Sequence, residues 1–166
     1  MKAASINELK KAMNSLTPGE LTELCLRLAR FKKENKELLT YLLLELPDEA
    51  HYVKSVKVEI SGEFERMNTN SYYYIKKSVR KILRSIKKYI RYSQKKETEV
   101  ELLLHFCFEM KALRPSISGN TVLRNLYERQ LSAIEKVVSA LHEDLQYDYQ
   151  LEIDKLRELN AAPENS

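Results

Sequence analysis

Glycine and proline are scarce, with three and four among 166 residues. These residues punctuate turns, so their scarcity excludes the many tight hairpins of a β-sandwich or barrel. Tryptophan is absent, and the two cysteines, Cys25 and Cys107, lie far apart inside apolar helical patterns. They form neither a C-x-x-C motif nor a disulfide framework, which suits a reducing cytoplasm. Long apolar runs are missing too. The longest near-continuous stretch, Leu102 to Phe108, is interrupted by His105 and is too short to span a bilayer. The opening residues, Met1-Lys2-Ala3-Ala4-Ser5-Ile6-Asn7, turn polar before an apolar signal-peptide region can form, so a cytoplasmic location is expected. No phosphate-cradling G-x-x-x-x-G-K-[ST] loop, no G-x-S-x-G elbow and no H-E-x-x-H zinc motif occurs. The expectation is therefore a protein without enzymatic activity, cofactor or resident metal.

One absence is local and more informative. Between Met67 and Lys96 there is no acid, while ten cations occur: Lys76, Lys77, Arg80, Lys81, Arg84, Lys87, Lys88, Arg91, Lys95 and Lys96. These charges are phased. At about 100° per residue, Tyr72, Ile75, Val79, Ile82, Leu83, Ile86, Tyr89 and Ile90 share an arc of roughly 120°. Lys76, Lys77, Arg80, Lys81, Arg84, Lys87, Lys88 and Arg91 occupy the opposite arc, with Tyr73 among them and Tyr74 and Tyr92 at its flank. The pattern is one helix over 72–92 with a core-facing stripe and a continuous basic face. The net charge of +4 conceals this polarity: residues 67–96 carry +10, residues 97–120 carry −2 and residues 121–166 carry −4.

What remains is rich in Leu, Lys and Glu, good helix formers. Seven helical segments are predicted. Ser5 with Glu8 makes a capping box for Ile6–Asn14, and Thr17 with Glu20 makes one for Pro18–Lys33. The second segment carries the stripe Leu21, Leu24, Cys25, Leu28 and Phe31. The third, Asn35 to Leu46, buries Leu38, Leu39, Leu42, Leu43 and Leu46. Asp48 caps a fourth segment toward Met67, where β-branched valines and Gly62 argue for irregular structure over 50–67 as the alternative. After the basic helix, Thr98 with Glu101 caps a sixth segment ending near Leu113, with Leu102, Leu103, Phe106 and Met110 at the centre of the fold. The seventh, Thr121 to Asn160, holds no Gly or Pro and reads as one long helix. The fold class is all-α: a single domain over 1–160, built as a bundle or irregular array of about seven helices with a long C-terminal helix, and a frayed tail over 161–166.

The stretch Ile6-Asn7-Glu8-Leu9-Lys10-Lys11 through Leu16-Thr17-Pro18-Gly19-Glu20-Leu21 to Phe31-Lys32-Lys33 resembles the start of small all-helical bacterial proteins of unknown function. The resemblance spans the first quarter of the chain. It implies a bacterial, cytoplasmic setting and brings no activity with it.

Other constellations have structural explanations. Asp48-Glu49-Ala50-His51 spells a helicase box but lacks the phosphate loop that gives that box meaning, so it reads as a helix N-terminus. Glu101, His105 and Glu109 share a helix face but lack the paired Glu-x-x-His motif of carboxylate-bridged metals, so His105 reads as partly buried and held by a carboxylate. Cys25 and Cys107 read as small core residues. Two functions remain. The first is a non-enzymatic interaction or scaffold protein, self-associating as a homodimer through the apolar stripe of 121–160. The alternative is a nucleic-acid-binding module that sets Lys76, Lys77, Arg80, Lys81, Arg84, Lys87, Lys88 and Arg91 against RNA or DNA phosphates, with Tyr73 stacking on bases. A membrane partner is not expected, because the apolar arc lacks the Trp and Phe of interfacial helices and has the width of a core-facing stripe.

Overall fold

A computed structural model describes residues 1–161; residues 162–166, and with them nearly all of the expected tail, lie outside the described residues. Among the described residues there are eight α-helices and no strand: α1 (Ile6–Met13), α2 (Pro18–Phe31), α3 (Lys33–Thr40), α4 (Glu49–Glu65), α5 (Tyr72–Ser93), α6 (Lys96–Ala112), α7 (Thr121–Val138) and α8 (Glu143–Ala161). The fold is all-α. None of these helices is long and apolar enough to cross a membrane. The expected domain over 1–160 is built as two compact units, Met1–Glu45 and Leu46–Ser166.

The first unit holds α1 to α3. Both expected capping boxes form: Ser5 and Glu8, and Thr17 and Glu20, each satisfy the other's backbone amide. The expected buried stripes do not. Leu28, Phe31, Leu38, Leu42 and Leu43 are all exposed, as is Leu46, the first residue of the second unit, and Cys25 is exposed rather than a core residue. Part of the cause is a wide π turn over Tyr41–Glu45. It adds a residue to the turn and rotates Leu42 to Leu44 away from the phase that the i, i+3, i+4 pattern assigns them. Three helices in 45 residues also have too little mass to bury so many leucines.

The second unit is organised around α6, which packs against α4, α5, α7 and α8. Val100, Leu102, Phe106, Cys107 and Met110 are fully buried, so this helix is apolar nearly all round, as a central helix must be. Helix α4 is continuous, with Tyr52, Val53, Val56, Ile60 and Phe64 turned inward as their spacing predicts and Asp48 accepting from the His51 amide at 3.0 Å. Gly62 is tolerated because the Arg66 guanidinium folds into the space a side chain would take.

Two corrections concern helix ends. The expected Thr98–Glu101 capping box does not form. Helix α6 starts three residues earlier, with Lys95 at the N-cap position, and the buried Thr98 hydroxyl donates to Glu49 on α4 at 2.6 Å. The same carboxylate accepts from Ser93 and pairs with Lys95 at 3.1 Å, so Glu49 ties α4 to the α5–α6 turn. In that turn Gln94 has φ 58°, the left-handed position that ends α5. Glycine is the residue suited to that position. Gln94→Gly is expected to stabilise the protein by about 0.5–1 kcal/mol, read as a raised urea midpoint at unchanged slope.

The second correction is larger. The expected helix over Thr121–Asn160 is two helices that reverse at residues 139–142. The amides of Ala140 and Leu141 reach back only three residues, to Val137 and Val138 at 3.0 and 2.9 Å. Gln146 then donates to the carbonyls of Ser139 and Leu141 at 3.3 and 2.7 Å. Few hydrogen bonds are lost, and each is worth about 1 kcal/mol net. In return α8 folds back on α7 and α6 and buries Ile153 and Leu156 completely, worth roughly 1.5–3 kcal/mol each. Tyr127 donates to the Leu156 carbonyl at 3.3 Å and Arg157 to Glu135 at 2.6 Å. The stripe Tyr127, Leu131, Ile134 and Val138 faces inward and is no longer an outward seam for a second copy.

Candidate nucleic-acid interface

Helix α5 spans Tyr72–Ser93, one residue beyond its expected end. Its apolar arc anchors it: Ile75, Val79 and Ile86 are fully buried, and Ile82 and Leu83 nearly so. With that arc inside, the basic arc must face outward. Tyr73, Lys77, Arg80, Lys81, Arg84, Lys87 and Arg91 are exposed, while Lys76 and Lys88 are half-buried. The acidic α8 packs on α6 and α7 and leaves these cations in solvent. The same burial takes the apolar arc out of solvent.

Acidic residues of α4 border the face on one side. Lys81 lies 4.0 Å from Glu63 with most of its side chain in solvent, a geometry worth little. Tyr89 donates to Glu59 at 2.7 Å, and the Lys88 ammonium sits 4.9 Å from the Tyr89 ring centre. At the N-terminal end Tyr73 and Tyr74 meet edge-on at 5.3 Å and are 67% and 46% exposed. Tyr72 points the other way and donates to the Ser116 carbonyl at 2.7 Å. From Lys77 to Arg91 the cations extend over about 21 Å of helix. The face thus offers a row of largely exposed cations, with two exposed rings at one end.

A second cluster joins α4 and α6. His105 Nε2 lies 2.8 Å from Ser61 Oγ, 3.1 Å from the Lys57 carbonyl and 3.5 Å from Glu109. Ser61 gives its single proton to Glu109, so Nε2 must carry hydrogen and donate. The imidazole is therefore no base for Ser61, and Glu109 lies on the Nε2 side, not behind Nδ1 where a triad acid would orient the ring. The cluster is a polar clasp. Lys57 pairs with Glu101 at 2.7 Å in the same clasp. Glu101 also takes the Tyr149 hydroxyl, whose pKa is pushed up to about 12 by burial first and by the Glu101 and Glu97 carboxylates next. Glu109 stands beside His105 as the spacing suggests, but the ring is held directly by Ser61 and the Lys57 carbonyl. The partners Lys57 and Ser61 are missed from sequence, although they repeat the four-residue step of Glu101 and His105 on the facing helix. Cys107 is buried, and burial pushes its thiol up to about 12. Among the described residues no group of three or more His, Cys, Asp or Glu is placed to hold a metal.

Burial holds the His105 pKa below its ordinary value; the Glu109 charge opposes that effect, the Lys57 ammonium charge adds to it, and the hydrogen bond to the Lys57 carbonyl opposes it. The folded state then binds fewer protons than the unfolded chain once pH falls below about 6.5. Its contribution to stability is complete above that pH and is lost as pH falls through the folded pKa. Urea midpoints measured from pH 8 to 5 should fall over the acidic part, and His105→Gln should flatten that part of the curve.

Comparison with protein-family models, curated proteins and solved structures found no match.

Proposed function

We propose that this protein binds nucleic acid through the exposed face of α5, without catalysing a reaction on it. The observation that carries this reading is an acid-free helix whose apolar arc is fully engaged while Lys77, Arg80, Lys81, Arg84, Lys87 and Arg91 stand in solvent. A solvated surface helix ordinarily mixes both signs of charge, and concentrating one sign builds a field that attracts polyanions. Phosphate contacts by such cations release condensed counterions. Tyr73 and Tyr74 supply π-faces for unpaired bases, which favours single strands or a duplex end over base readout in a groove. A bacterial, cytoplasmic setting belongs to this proposal, in keeping with the N-terminal resemblance and two free cysteines.

Fluorescence anisotropy with labelled single-stranded RNA and duplex DNA across a salt series tests the reading. With six phosphate contacts, log K should fall with log salt at a slope of about −5 for the duplex and about −4 for the single strand. Absence of binding to either at low salt would refute it. A second reading, a protein-interaction module, is favoured by the exposed leucines of the first unit.

A further inference from the structure

The first unit contains an apolar groove of about 650 Å³ between α2, α3 and the π turn, floored by Leu26, Ala29, Leu39, Leu43 and Leu44. Its rim carries Arg30, Lys32, Lys33 and Lys36. Lys33 reaches Glu37 at 3.5 Å but keeps 84% of its side chain in solvent. Leu43 and Leu44 are 66% and 72% exposed. A contiguous apolar surface of this kind, rimmed by charge, is characteristic of a docking site.

Charge selects the occupant. Two copies of the groove would set four cations against four, so a symmetric groove-to-groove contact is disfavoured. The fitting partner is an acidic helix with apolar anchors one turn apart, and this chain presents one. Residues Ile153 and Leu156 pin the inner side of α8. On its outer side Tyr147 and Leu151, one turn apart, are exposed among Asp144, Asp148 and Asp154. A cation beside them, Lys155, is engaged by Glu152 at 2.7 Å.

We propose that the outer face of α8 of one copy docks into the basic-rimmed groove of a second copy, with Tyr147 and Leu151 on the leucine floor and Asp144, Asp148 and Asp154 against the rim. The contact is heterologous, because donor and acceptor surfaces differ. Each dimer therefore keeps one free groove and one free α8 face and grows further unless a ring closes. This assembly uses neither the buried stripe of α7 nor the basic face of α5.

Sedimentation velocity on the full chain tests the proposal with two variants that alter only exposed side chains. Leu43→Ser/Leu44→Ser removes the floor, and Tyr147→Ser/Leu151→Ser removes the anchors. Wild type should associate with rising concentration and dissociate at high salt. Each variant alone should need about tenfold or more protein to reach the same association. Mixed together, the two should form a one-to-one dimer that grows no further, since one intact groove and one intact α8 face remain. Lys32→Glu/Lys36→Glu, which leaves the floor intact, should weaken association, and adding Asp144→Lys/Asp148→Lys should restore it. A wild type that stays monomeric at every concentration would overturn the proposal, as would a mixture that fails to pair or variants that associate like wild type.

Discussion

Replacing Arg80 and Arg84 by glutamate should weaken duplex binding about a hundredfold at 0.1 M salt. Each phosphate contact contributes about 0.9 to the salt slope, so each is worth close to tenfold at that salt relative to 1 M. Loss of two contacts should also reduce the slope from about −5.4 to about −3.6. Both side chains are exposed, neither pairs with an acid among the described residues, and they lie outside the buried arc, so unfolding midpoints should move little. The same charge change at Arg124 and Arg129, exposed on α7, should alter affinity far less. Equal losses from both pairs would mean that net charge, not the α5 face, governs binding.

Glu49→Ala should cost about 2–4 kcal/mol of stability. One carboxylate accepts from Ser93 and Thr98 and pairs with Lys95, and the two hydroxyl residues are 7% and 2% exposed. Truncation leaves those hydroxyls without their charged acceptor and removes an acid from the first turn of α4, where it also favours the helix dipole. Glu49→Gln keeps an acceptor oxygen and should cost less than half as much. Thermal unfolding reads both changes, and a loss for Glu49→Ala below about 0.5 kcal/mol, the scale of ordinary surface substitutions, would show that Glu49 does not hold the α5–α6 turn.

The periodic parts of the fold were legible from spacing alone. Helix α5, its two arcs and the central place of α6 follow from where Ile75, Val79, Ile86, Leu102 and Phe106 fall on a 3.6-residue repeat, because burial enforces that phase. Spacing failed where a tertiary contact outranked a local rule. Thr98 reads as a cap, yet a carboxylate from 49 residues away takes its hydroxyl. The reversal at residues 139–142 has no glycine or proline to announce it. It is held by Gln146 and repaid by Ile153 and Leu156, contacts that exist only after the chain turns. In the first unit the leucine pattern correctly marks helices but overstates burial, since a pattern specifies which face is apolar and not what covers it. At the α4–α6 clasp His105 and Glu109 were visible on one helix, whereas Ser61 and Lys57 belong to another.

The proposed function requires the α5 face to meet nucleic acid. Backbone NMR of the labelled chain, titrated with a short single-stranded RNA at low salt, locates that contact most directly. Shift changes should concentrate at Tyr73, Tyr74, Lys77, Arg80, Arg84, Lys87 and Arg91, and should fade as salt is added. Saturable changes that bypass α5 and settle on another surface, or a spectrum that does not respond to RNA, would contradict the account.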